Sequence, residues 1–176
     1  MTEAEIFESV TGSGSTDFAT LVDILNRHGK WCLIGGLAVN CYVEPVYTVD
    51  ADVVVVSAAL PAIKSELERA GFATEQFPHS LNARMPGSHL RIQLTLDPRY
   101  QQFVKRAELR IVLGLQVPVA ALSDDLTRKI WAWSDDTRRV SKRKKDELDL
   151  IRILERYPEF RDAMPAEIRR QLEPDN

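Results

Sequence analysis

Ile34-Gly35-Gly36-Leu37-Ala38, followed downstream by Val49-Asp50-Ala51-Asp52-Val53-Val54-Val55-Val56, is the pair of segments on which the fold turns. Ahead of the glycines, Trp31-Cys32-Leu33-Ile34 reads as a buried strand. After them, Leu37 to Val43 reads as a short helix stopped by Glu44-Pro45. An Asp-x-Asp then opens a second strand whose unbroken valines require cover on both faces. Alternation along that strand puts Asp50 and Asp52 on one face and Ala51 on the other. Two carboxylates so placed repel each other unless a cation sits between them. Magnesium suits the position, because it prefers hard carboxylate oxygens and completes its shell with water and substrate phosphates. The glycine pair beside it lets backbone N–H groups come close to phosphates. These residues outline a site for a divalent cation and a nucleoside triphosphate.

Composition bounds the rest. At 176 residues the chain is one structural unit, with 44% apolar residues to fill a core and 28% charged residues to solvate it. A net charge of -3 gives no global attraction to nucleic acid, so any such contact must come from local patches. Cys32 and Cys41 are too few for a disulfide framework and wrongly spaced for zinc; they read as buried thiols of a reducing compartment. No apolar run has the length of a membrane span, and the acidic, Ser/Gly-rich start is unlike a signal peptide. A cytoplasmic protein is the expectation.

Along the chain, residues 1–15 read as a flexible N-terminal segment, 16–120 as an α/β core and 121–176 as a helical part packed on that core. Thr16 or Asp17 can cap a helix with Phe18, Leu21, Ile24 and Leu25 inward. Pro61 to Ala70 is a second helix. Leu81–Met85 and His89–Leu96 read as strands joined at Pro86-Gly87-Ser88. Leu109–Leu113 and Val117–Ala120 flank Gly114 as either a strand pair or irregular structure. Ser123 caps a helix through Trp133. Asp135 to Lys142 reads as loop, Lys144 to Tyr157 as a helix with Leu148, Ile151 and Leu154 inward, and Ala166–Leu172 as the last helix. The order gives an α+β fold: a small mixed sheet flanked by helices, with a C-terminal helical cover.

Gly35-Gly36, the short helix and Asp50-x-Asp52 resemble the first motif of the polymerase-beta-type nucleotidyltransferase superfamily. The late Lys145-Asp146-Glu147-Leu148-Asp149 is similar to the Lys-Asp-x-x-Asp helix of its AbiEii-like abortive-infection and toxin branch. The resemblance spans most of the chain. It implies the superfamily's mixed sheet and a two-metal attack on the alpha-phosphate of a nucleoside triphosphate, with pyrophosphate leaving. On that resemblance Asp50 and Asp52 are catalytic and hold Mg2+ or Mn2+. Gly35, Gly36, Lys129, Lys145, Asp146 and Asp149 form the nucleotide-binding set. The implied acceptor is an RNA such as a tRNA end, or a protein hydroxyl. The implied role is that of a toxin, with a cognate antitoxin as partner.

Two departures from the family pattern stand out. Tyr47-Thr48-Val49 occupies the place of a basic residue before the carboxylate pair. Gln93, in Leu90-Arg91-Ile92-Gln93-Leu94-Thr95-Leu96-Asp97, occupies the place of the third carboxylate. A neutral amide binds a divalent cation weakly and cannot act as a base at neutral pH. Asp97 shares Gln93's face but lies about 13 Å further along an extended strand, so it substitutes only if the strand is displaced.

Other features leave alternatives open. Lys145, Asp146 and Asp149 share a helix face that reads equally as a solvated set of ion pairs. The basic run Arg138, Arg139, Lys142, Arg143, Lys144 and Lys145 reads either as solvated surface or as a contact for a phosphate-rich partner, an RNA or the triphosphate. Arg91 could touch a phosphate or form a cross-strand ion pair. Two further functions stand beside the first. One is a nucleotide-binding or interaction module on the same fold, impaired at Gln93. The other is an enzyme modifying an antibiotic hydroxyl, for which the acidic net charge suits a cationic drug.

Overall fold

The computed structural model describes residues 2–173. In chain order it contains α1 (Glu3–Thr11), α2 (Gly14–Arg27), β1 (Trp31–Ile34), α3 (Gly36–Val39), β2 (Asp50–Val55) and α4 (Leu60–Arg69). Then come β3 (Ala73–Phe77), β4 (Ser80–Arg84), β5 (Arg91–Thr95), α5 (Gln101–Arg106), β6 (Glu108–Val112) and β7 (Leu115–Val119). Helices α6 (Leu122–Ser134), α7 (Val140–Arg156) and α8 (Ala166–Gln171) complete it. The seven strands form one mixed sheet in the order β3-β4-β5-β2-β1-β7-β6. The α+β class read from the sequence is the one observed.

The register places the chemistry. β1 runs antiparallel to β2 with Ile34 opposite Asp52, so the glycine turn after β1 falls beside the Asp-x-Asp. β5 runs parallel to β2, with Asp50 beside Arg91 and Asp52 beside Gln93. The doubly covered valine strand is also as expected. Val53 and Val55 pack with α2 and α4 through Leu21, Leu25, Ile63 and Leu67. Val54 faces the other way, onto Phe103 of α5. A separate apolar cluster of α6, α7 and α8 closes against Val39 and Val43, anchoring the C-terminal helices beside the glycine turn.

Other expectations need correction or completion. The start of the chain, read as a short helical or frayed segment leading into a flexible connector, is helical over α1, where Thr2 and Glu5 form a reciprocal capping box. Phe7 and Thr11 are buried, and the Thr11 carbonyl accepts from the His89 N–H at 2.9 Å. Helix α2 starts at Gly14, with Ser13 rather than Thr16 or Asp17 as its cap residue. The open choice around Gly114 resolves as a hairpin. Helix α7 begins at Val140, so Lys142 and the cations after it are helical. Its inward stripe is Asp146, Asp149, Leu150, Ile153 and Leu154, while Leu148 is 46% exposed. Among the described residues no helix is long and apolar enough to cross a membrane.

The two leucines of α7 separate these readings. Leu150→Ala, at a fully buried position, should cost about 3 kcal/mol and lower Tm by roughly 6–12 °C. Leu148→Ala should stay within about 0.5 kcal/mol. Thermal denaturation of both variants decides which leucine faces the core.

Candidate active site

Between the β2/β5 end of the sheet and the helices α6 and α7 lies an open cleft of about 650 Å³. Asp50, Asp52, Gly36, Gln93, Lys129, Lys145, Asp146 and Asp149 all line it. Gly35 immediately precedes the lining Gly36. Asp97 lies outside it, past the end of β5, where it accepts from the Arg99 N–H at 2.9 Å and pairs with the Arg99 guanidinium at 2.7 Å. Strand displacement does not bring it to the third position.

The repulsion between the two aspartates is answered by the chain's own cations. Asp50 Oδ1 is 2.7 Å from Arg91 Nε, and its Oδ2 is 2.9 Å from Lys142 Nζ. Partial burial pushes the Asp50 carboxyl up, but Lys142 and Arg91 together pull it down further, so it lies below the usual carboxylate range. Asp52 Oδ2 is 3.4 Å from Arg128 Nη2. Arg128 is deeply set, and its Nε and Nη1 have no hydrogen-bond partner. Arg128 and Lys142 arrive from α6 and α7, so both helices close on β2 at the carboxylates.

Gly35 is required by a close approach. Its φ is +81°, and a Cβ there would stand 2.5 Å from Asp52 Oδ2. Its N–H is engaged, donating to Asp125 Oδ1 at 3.0 Å. Gly35 thus positions the turn against Asp52. Asp125 is fully buried with Oδ2 unpartnered, and burial pushes its carboxyl up to about 6 despite Arg128 and Lys129 nearby.

The late motif divides in two. Lys129 is buried, with its Nζ 2.6 Å from Asp149 Oδ2 and 3.0 Å from Asp146 Oδ1. Burial pulls its ammonium down, but Asp149 and Asp146 more than offset this, leaving it above the usual lysine range. Asp146 also accepts from Arg138 Nε at 2.9 Å, and Asp149 from Arg152 Nη1 at 2.6 Å. This ionic layer forms part of the cleft lining and holds α6 to α7. Lys145 is exposed at the cleft wall and makes no ion pair among the described residues. Most of the basic run is likewise committed: Arg143 donates to the Trp133 carbonyl and Lys144 pairs with Glu147. Arg128 and Asp125 were missed in the sequence; the only signal was their helical spacing with Lys129.

The donor set suits one hard divalent cation. Asp50 and Asp52 could supply carboxylates from one face and Gln93, in register with Asp52, an amide oxygen, with the remainder of the shell left to other ligands. Among the described residues no group of three or more His, Cys, Asp or Glu side chains gathers around a potential metal position.

No protein-family model matches the chain. No curated protein matches it either. Solved structures do. ANT(2")-Ia in complex with adenylyl-2"-tobramycin superposes with a TM-score of 0.59 at 12% identity, covering 90% of this chain and 98% of that one. The lincosamide antibiotic adenylyltransferase LnuA, lincomycin-bound, gives 0.54 at 11% identity, covering 77% and 94%. An antigenic nucleotidyltransferase-like protein from Paracoccidioides brasiliensis gives 0.52 at 18% identity, covering 82% and 77%. The chain has the nucleotidyltransferase fold.

The two lysines that the sequence treats alike should respond differently. Lys129→Met leaves two buried carboxylates short of a partner and should cost about 3–5 kcal/mol. Lys145→Ala should leave stability within about 0.5 kcal/mol; chemical denaturation of both variants checks the contrast.

Asp125 sets a pH dependence. Its carboxyl is raised above the ordinary value, so its stabilising contribution is complete below pH 3.8 and is lost as pH rises through about 6. Asp125→Asn keeps an acceptor for Gly35. The melting temperature of this variant relative to wild type should therefore rise steadily between pH 4 and 7, and a flat difference would refute the assignment.

Proposed function

We propose that this protein is a metal-dependent nucleotidyltransferase that transfers a nucleoside monophosphate from a nucleoside triphosphate to a hydroxyl acceptor. The observation that carries the reading is the juxtaposition of Asp50 and Asp52 with the glycine turn at the mouth of a cation-lined cleft. Asp50 and Asp52 would hold Mg2+ or Mn2+, which supplies Lewis-acid charge at the reacting phosphoryl group. Lys142, Arg91, Arg128 and Lys145 supply positive charge along the cleft where a triphosphate would lie. Asp125 keeps the glycine turn in place through Gly35.

The acceptor is read from what remains unpaired. Arg84 and Lys145 line the cleft without a carboxylate partner among the described residues, against Glu75 alone as an unpaired acid. That balance favours an anionic acceptor, a polynucleotide hydroxyl such as a tRNA end, over a cationic drug. The AbiEii-like toxin role, with an antitoxin partner, rests on the resemblance of the Lys145-Asp146-x-x-Asp149 helix. A second reading has its own observation. Gln93, a neutral amide, stands beside Asp52 at the place of the third carboxylate and cannot act as a base there, which favours a module that binds nucleotide without transferring it.

Transfer of label from each alpha-labelled nucleoside triphosphate to tRNA, protein and aminoglycoside or lincosamide acceptors tests these readings. Labelled tRNA is expected, and Asp50→Ala/Asp52→Ala should reduce it by about 100-fold or more. Nucleotide binding that needs both aspartates, yet yields no product on any acceptor, would establish the binding module instead.

A further inference from the structure

β6 is one edge of the sheet, with β7 as its only neighbour. The loop between them is Leu113-Gly114, with φ of +49° and +81°, a two-residue turn of type I′ geometry closed by Val112 opposite Leu115. The closing pair of such a hairpin exchanges both hydrogen bonds. Counting back, Val112, Arg110 and Glu108 turn their N–H and C=O groups toward β7, and Leu109 and Ile111 turn theirs outward. The same two residues are 64% and 65% exposed. Sheet edges are ordinarily blunted by charge, proline, a bulge or a cover; the outward-bonding positions of β6 carry none of these. The other edge, β3, already has a use, because Ala73, Thr74 and Glu75 line the cleft.

The geometry points to a second copy of this chain as the partner, paired antiparallel along β6 about a two-fold axis at Leu109. Outward-bonding residues must meet outward-bonding residues, which leaves three two-fold registers. Leu109 opposite Ile111 sets Arg110 directly against Arg110, a like-charge pair. Ile111 opposite Ile111 runs Leu109 against Leu113, which lies in the turn. Leu109 opposite Leu109 sets Glu108 against Arg110 twice and Ile111 against Ala107. These Glu–Arg pairs fall at the non-hydrogen-bonded positions, where opposed side chains are closest. Within one chain Arg110 Nη2 already lies 3.1 Å from Glu108 Oε2, so the pairing assembles two acids and two guanidiniums into one alternating cluster. β1 and β7 separate β6 from β2, so both clefts stay open in the dimer. A strand-pair contact lies at the low end of interface sizes, and association in the micromolar range follows.

Sedimentation equilibrium of the full chain from about 1 to 500 µM tests this. Wild type should show a monomer–dimer equilibrium. Leu109→Lys, Glu108→Arg and Arg110→Glu should each weaken it by about tenfold or more, and the double reversal Glu108→Arg/Arg110→Glu should restore it. All three positions changed are on the edge strand, and unchanged far-UV circular dichroism confirms that each of the four variants folds. A chain that stays monomeric throughout overturns the proposal. So does a dimer indifferent to Leu109→Lys, or one that the double reversal fails to rescue.

Discussion

Asp50 and Asp52 project from one face of β2, and their like charges have to be compensated for the surrounding structure to close as it does. The compensation comes from three elements distant in sequence: Arg91 on β5, Arg128 on α6 and Lys142 on α7. Each contact fixes the place of its element. The parallel β2–β5 register sets Arg91 beside Asp50, and the two helices meet the sheet where the carboxylates are. Gly35 belongs to the same constraint, since any side chain there would occupy the space of the Asp52 carboxylate.

The same cleft holds a second ionic set of opposite arrangement, with the cation central and the acids around it. Lys129 is held by Asp146 and Asp149, which are tied in turn to Arg138 and Arg152. A buried charge of this kind is costly unless fully paired; here the pairing joins α6 to α7 and so fixes where Lys142 enters the cleft. Arg152 extends the tie to the Glu44 carbonyl and the Asn40 side chain, near the end of the short helix that follows the glycine turn. The carboxylate face and the helical cover are thus one connected ionic structure.

What the sequence discloses follows from this arrangement. The valine strand and glycine turn are legible because burial on both faces and a tight turn leave local marks in composition. β3 has no such mark: it is an edge strand whose side chains are mostly exposed, and it gives no apolar alternation. The start of α7 is hidden for a related reason. Its N-terminus has no side-chain cap and carries cations that oppose the helix dipole, so local rules place the helix later. The Lys142–Asp50 pair, 92 residues apart in sequence, is among the contacts that hold that first turn. Arg128 and Asp125 escape notice because helical spacing says which residues share a face and nothing about what that face meets. In residues 1–15 the Ser/Gly-rich composition likewise conceals a capping box and a buried Thr11.

The self-paired carboxylates also bear on how the proposed substrates would bind. A divalent cation that takes Asp50 and Asp52 must displace Lys142, Arg91 and Arg128, and cations released inside a cleft with buried walls are unfavourable without an anion. A triphosphate is such an anion. Metal alone therefore meets the full cost of separating three ion pairs, and nucleotide alone meets cations already engaged. Together each offers the other's displaced partner a new one. On the proposed reading, the two ligands are thermodynamically coupled through side chains that both would touch, with the reciprocity that linkage requires.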